Sequence, residues 1–339
     1  MDILQKAPLA ELHSHLGTSI SAKVLWQIAH RSGYRLPKSE FEEFKKYITL
    51  SPRRRMPLND YFKEIYHPFL DHLSAGAHTV EHATYQTITG AYHGQHITLM
   101  ELRNNLVKHS RFGEFEYDHV ALAMLRGMER ALLECKGLSA GLIFMMGRDL
   151  TREQNEIVID RAIKFHRRGV VGVDVAGPGS PNFRFKDYAD LFDKARKVGL
   201  GVTVHTGEQL DADDTWEALE FARPQRIGHG IRAAYDKSLM KELAKRKVVL
   251  EICPLSNIMT KAVENVDEIR FILKTFIENK VRFCINTDWP EMIEGCRLRT
   301  QLQWLHDEKI LTLEQLEQCN RTAFEASFIP KPGGLDVYL

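Results

Sequence analysis

The stretch VVLEICPLSNIMTKAVENVDEIRFILKTFIENKVRFCINTD, residues 248–288, decides the fold. Residues 248–254 and 281–288 are β-branched, apolar runs that pass into polar residues, which reads as two strands. Between them, residues 266–280 place apolar side chains three and four apart, the period of a helix with one buried face. A strand, a helix and a strand in succession make a parallel pair joined by a crossover.

Outward from this stretch the same unit recurs. Further strand-like runs stand at 9–16 (LAELHSHL), 96–105, 139–149, 170–177 (VVGVDVAG), 201–208 (GVTVHTGE) and 226–230 (RIGHG), which brings the total to eight. Residues 215–223 and 235–246 have the helical period, and no linker or low-complexity stretch interrupts the series. The expected fold is therefore α/β, a (β/α)8 TIM barrel forming one domain over residues 1–339. One interval breaks the rhythm. Residues 20–92, between strands one and two, are far longer than a normal crossover and are expected to form helices over the barrel mouth.

Composition narrows the partners. With 46 basic against 45 acidic residues, a formal charge of +1 and 44% hydrophobic residues, the 339-residue chain has a substantial core and no global field to draw nucleic acid or anionic membrane. A small-molecule substrate is expected, with no nucleic acid and no membrane partner; the oligomeric state stays open. No apolar run reaches the roughly 20 residues of a membrane span, and the N-terminus lacks a signal-peptide layout, so the expected location is cytoplasmic. Five scattered cysteines without a CxxC pair suit a reduced compartment rather than a disulfide frame or zinc ribbon.

In such a barrel the chemistry lies at the C-terminal ends of the strands, where eight loops converge. Strand one ends with His13 and His15, strand five with His205 and Glu208, strand six with His229 and strand eight with Asp288. Residues two apart on a strand face the same side, so His13 and His15 can point inward together. Each of these residues taken singly can be a buried polar group satisfied by hydrogen bonds. Taken jointly, three imidazoles and a carboxylate form an N/O ligand set for a catalytic Zn²⁺ or related divalent ion, with a position left for water.

The segments LHSHLGTSIS, VVGVDVAGPG, VHTGE, RIGHG, LEICPLSN and INTDWP stand in the order and spacing of the adenosine deaminase family, within the amidohydrolase superfamily. The tail LTLEQLEQCNRTAFEASFIP resembles the family's closing helices, so the likeness covers nearly the whole chain. The resemblance implies a (β/α)8 barrel, one zinc ion per chain and hydrolytic removal of an amino group from a purine-like ring. It implies His13, His15, His205 and Asp288 as metal ligands, Glu208 as the proton-transferring acid, His229 as the residue orienting the attacking hydroxide, and Gly177 as a backbone contact to the ring. These roles answer a chemical need. An aromatic C–NH₂ carbon is a poor electrophile and ammonia a poor leaving group, so a strong nucleophile and a proton donor must act together.

Two positions depart from the family pattern. Trp289 stands where most members carry a second acid that binds the five-membered ring of adenine; an indole offers a flat face and one N–H donor. Gly17 and Thr18 stand where an acid or amide commonly contacts the ribose hydroxyl. Gly17, Thr18 and Trp289 are accordingly candidate substrate contacts, and the specificity is expected to differ from adenosine. Arg53, Arg54 and Arg55, or Arg103 and Arg148, are candidates to meet an anionic substituent, or else form a solvated loop and salt bridges. Thr18 and Ser19 offer hydroxyls. Glu251, Ser256 and Asn257 read as scaffold hydrogen-bonders. The function expected is zinc-dependent deamination of an aminopurine, purine nucleoside or related amino-heterocycle. The alternatives are another hydrolase on the same metal site, or a metal-bearing binding protein.

Overall fold

A computed structural model describes residues 3–110, 116–177, 180, 182–209 and 211–330. Eight strands, β1 (Leu9–His15), β2 (Ile97–Asn104), β3 (Ser139–Gly147), β4 (Val170–Ala176), β5 (Gly201–Thr206), β6 (Arg226–His229), β7 (Val249–Ile252) and β8 (Arg282–Ile285), pair in sequence order, each parallel to the next. Helices between them cover the outside, which gives the expected barrel. The helix Val266–Glu278 shows why the period is legible: it buries Ile269, Ile272, Leu273 and Phe276, and Asn265 caps it by accepting from the Glu268 N–H. Residues 215–223 behave less simply. They cover the end of a helix, Ala212–Glu217, and a π-helical turn, Ala218–Ala222, which stops at Arg223 in the left-handed region.

The seam from β8 back to β1 is closed without a regular ladder. A parallel bridge joins Ser14 to Asp288: the Asp288 N–H donates to the His13 carbonyl at 2.7 Å and the His15 N–H to the Asp288 carbonyl at 3.3 Å. Deeper in the barrel, side-chain amides replace the missing backbone partners, with the Leu12 N–H donating to Asn286 Oδ1 at 2.9 Å and the Ala10 N–H to Asn320 Oδ1 at 3.1 Å.

Between β1 and β2 lie the helices Ala22–Arg31, Phe41–Ile48 and Ala77–Gln95, with a π-helical run, Phe62–Leu70, that carries Pro68 inside it. Among the described residues no helix is long and apolar enough to cross a membrane.

The barrel lumen holds charge. Arg103 on β2 and Arg226 on β6 are fully buried, as are Glu101, Asp174 and Glu251. Arg103 reaches Asp174 at 2.8 Å and Glu251 at 2.7 Å; Arg226 reaches Glu251 at 2.7 Å and Glu101 at 2.5 Å. Burial acts to raise Glu251, but the two guanidinium groups outweigh it and hold the carboxyl well below its usual range. The Arg226 guanidinium also stacks on the Phe328 ring, 3.6 Å from its centroid. Removing one partner of a buried pair leaves an uncompensated charge, so Arg226→Met is expected to cost about 3–5 kcal/mol. Urea unfolding reads this as a lower midpoint; an unchanged midpoint would show that the network adds nothing to stability.

Candidate active site at the barrel mouth

His13 and His15 leave the end of β1, His205 sits near the end of β5, and Asp288 follows β8. Each offers one ligand atom, and the four atoms lie within 4.8 Å of one another. Asp288 Oδ1 is 3.2 Å from His15 Nε2 and 3.5 Å from His13 Nε2, and His15 Nε2 is 3.1 Å from His205 Nε2. A glycine makes room for this: a Cβ on Gly228 of β6 would stand 2.8 Å from His13 Cε1.

The outward atoms are fixed by carboxylates and a hydroxyl. His13 Nδ1 bonds to Glu251 Oε2 at 2.8 Å, His205 Nδ1 to Asp174 Oδ2 at 3.0 Å, and Ser256 Oγ donates to Asp288 Oδ2 at 2.6 Å. With Glu251 and Asp174 ionised, each Nδ1 carries the proton and each Nε2 turns a lone pair inward. Burial acts to raise Asp174, but the facing His205 and Arg103 outweigh it, so its carboxyl lies well below the usual range.

Two observations test whether a cation fits among these atoms. First, His13 Nε2 is buried without a hydrogen-bond partner, its distance to Asp288 being too long for a good one. Second, among the described residues five buried carboxylates, Glu11, Glu101, Asp174, Glu251 and Asp288, stand against three buried guanidiniums, Arg103, Arg148 and Arg226, in the lumen and at its rim. Burial raises Glu11 to about 7, which removes part of one negative charge; the excess that is left suits a divalent ion. Three imidazole nitrogens and one carboxylate oxygen are a transition-metal donor set.

Glu208 and His229 stand beside this cluster. Glu208 lies on the loop after β5, and its Oε2 is 3.8 Å from His229 Nε2. Asn257 Nδ2 donates to His229 Nδ1 at 3.0 Å and lies 3.5 Å from Glu208 Oε1. Burial first, and then the proximity of His13, hold His229 well below its ordinary pKa. It is a neutral ring that accepts at Nδ1 and donates at Nε2. Burial and the Asp288 charge push Glu208 up to about 8, so it keeps its proton at neutral pH. His229 and Asp288 both adopt left-handed backbone, φ +63 and +62, a conformation that the surrounding contacts must hold.

A family model described as adenosine deaminase matches residues 8–337. The chain belongs to the adenosine deaminase family. It is a hydrolytic deaminase, and members of this family are metalloenzymes. Adenosine deaminase of Shewanella denitrificans is 26% identical over 95% of this chain and 94% of its own length. Adenine deaminase of Arthrobacter aurescens superposes with a TM-score of 0.82 at 22% identity, covering 96% of this chain and 95% of its own. An amidohydrolase of Burkholderia ambifaria with bound Zn gives a TM-score of 0.82 at 18% identity, covering 97% of this chain and 88% of its own.

The candidate substrate contacts fall in one pocket. Gly17, Thr18, Gly177 and Trp289 line the cavity that also contains His15, His205, Glu208 and His229. Trp289 is buried, its ring 4.8 Å from Tyr61 and 5.7 Å from Phe62. The Thr18 hydroxyl is engaged elsewhere, lying 3.2 Å from the carbonyls of both His15 and Asp288, where it ties the seam. Ser19 likewise donates to the His15 carbonyl at 2.6 Å and does not line the cavity.

Of the arginine candidates for an anionic substituent, all but Arg53 have partners within the protein. Arg103 is locked in the lumen network, and Arg148 pairs with Asp214 at 2.8 Å while its guanidinium lies over Phe183 and Phe185. Arg54 donates to the carbonyls of Lys46 and Tyr47, Arg55 to those of Ile258 and Val263, and Arg53 is exposed. Asp174 escaped the sequence reading; its signal is an acid alone among valines in an otherwise apolar strand. Phe62, Tyr66 and Lys108, which also line the cavity, carry no sequence signal beyond their residue type.

The hydrogen bonding of His229 has a direct spectroscopic consequence. Nitrogen-15 NMR of labelled histidine is expected to show His229 as a neutral Nε2–H tautomer throughout pH 6–8, because its pKa is depressed. Asn257→Ala should disturb that tautomer; an Nδ1–H ring in the unsubstituted protein would contradict the arrangement.

Proposed function

We propose that this protein is a zinc-dependent deaminase acting on an aminopurine, a purine nucleoside or a related amino-heterocycle, with specificity shifted from adenosine. The reading rests on one observation: four inward ligand atoms share a rim with the Glu208 carboxyl and the His229 imidazole, which stand 3.8 Å apart. His13, His15, His205 and Asp288 would hold the ion, one per chain, and another divalent ion would suit the same donors. Bound there, zinc lowers the pKa of a water molecule toward about 7 and so supplies hydroxide at neutral pH.

The chain's own residues do the rest. Glu208 delivers its proton to a ring nitrogen next to the carbon under attack, so that no negative charge accumulates on the ring. The His229 Nε2–H donates toward the incoming oxygen and orients it. The new C–O bond forms, the added hydroxyl passes its proton to the amine and becomes the carbonyl, the exocyclic C–N bond breaks to release ammonia, and the proton given up when the water ionised returns Glu208 to its acid form. Gly177, at φ +116 and without a side chain, lets the backbone approach the ring. Trp289 presents an indole where the family carries an acid, which removes an acceptor from the ring-reading side. Loss of such a contact shifts specificity more than chemistry. A binding protein would not need Glu208 and His229 beside its metal.

Ammonia release over a panel of aminopurines, nucleosides, nucleotides and pterins tests the reading. Turnover of at least one member is expected, with adenosine not the best; silence across the panel by metal-loaded protein would sink it. Glu208→Gln is expected to lower kcat by about 10²–10⁴-fold with metal content retained. Asp174→Asn should weaken metal affinity by about 10–100-fold through loss of the His205 anchor, read by competition with a chelator.

A further inference from the structure

We infer that Tyr66 is a specificity-determining substrate contact that takes the place of the side chain missing at position 17. The inference rests on the deaminase reading above. A Cβ on Gly17 would stand 2.0 Å from Tyr66 Oη and 3.0 Å from its Cζ. The phenol therefore fills the space in which any side chain at position 17 would begin. Gly17 and Tyr66 line the same cavity as His15, Glu208 and His229, so the phenol borders the space a substrate would enter.

The other departing position answers to the same element. Trp289 packs on Tyr61 and Phe62, and Phe62 meets Tyr66 edge to face at 5.3 Å. Phe62 and Tyr66 project from one π-helical run, a geometry that recurs at functional sites. One segment thus supplies both an aromatic wall, against Trp289, and a hydroxyl, over Gly17.

The exchange alters what can be recognised. A carboxylate at position 17 would only accept, and so would select a hydroxyl or another donor. A phenol both donates and accepts, and carries no charge at neutral pH. The substrate class that fits is an amino-heterocycle that offers a hydrogen-bond acceptor to the phenol, such as a ring nitrogen, carbonyl or ether oxygen, with a flat face against Phe62 and Trp289.

Steady-state kinetics of Y66F, G17A and the double variant, on the best panel substrate, test this. Y66F is expected to raise KM about tenfold, the value of one lost hydrogen bond in a buried site, while lowering kcat by less. On an analogue lacking that acceptor, the same change should leave KM within about twofold, since no contact to the substrate is lost. G17A should raise KM by displacing the hydroxyl, and the double variant should be no worse than Y66F alone. A KM in Y66F equal to that of the unsubstituted enzyme on every substrate, or fully additive effects of the two changes, overturns the inference while the deaminase reading stands. If the unsubstituted enzyme releases no ammonia from any panel member, the reading itself fails and carries the inference with it.

Discussion

The Asp288 N–H to His13 carbonyl hydrogen bond, 2.7 Å long, joins the last strand of the barrel to the first. Closing the barrel and assembling the ligand set are therefore one event. His13 and Asp288 come from opposite ends of the chain, and only the seam brings their side chains together. The left-handed backbone at Asp288 aims its carboxylate at the histidines, a conformation costing about 1–3 kcal/mol that surrounding contacts must hold. The Thr18 hydroxyl, set against both His15 and Asp288 carbonyls, is one such contact.

Beneath the seam, the lumen network carries orientation from the barrel floor to its mouth. Glu251 connects them: one oxygen takes Arg226 and Thr203, the other Arg103 and His13. Aliphatic packing of the lumen would be no less stable, by the general energetics of buried ion pairs, but it could not hold an imidazole in one tautomer. The network is therefore best understood as the frame that presents two inward lone pairs, from His13 and His205, in fixed directions.

Much of this was legible in the sequence because barrel folding has simple local rules. Apolar runs alternating with helical periods gave all eight strands, and the rule that strand ends converge singled out His13, His15, His205 and Asp288 before any geometry was known. What escaped depends on contacts between distant segments. Residues 286–288 read as strand because they continue an apolar run, yet β8 stops at Ile285 and Asp288 turns left-handed to reach β1. Arg103 read either as a contact to an anionic substituent or as a salt-bridge partner, since sequence does not distinguish a strand-end cation facing a ligand from one buried against Asp174 and Glu251. Thr18 read as a substrate contact and does line the cavity, but that its hydroxyl also lies 3.2 Å from the His15 and Asp288 carbonyls has no local signal. The relation between Gly17 and Tyr66 is invisible locally, because a missing side chain and its replacement lie on different elements.

The account depends most on the four inward ligand atoms sharing one ion. X-ray absorption at the metal edge, with elemental analysis of the purified protein, measures this directly. The expected result is one zinc per chain with three nitrogen ligands and two oxygens, from Asp288 and a water, at about 2.0–2.2 Å. A sulfur ligand, or a spectrum unchanged when His205 or Asp288 is replaced by alanine, would contradict it.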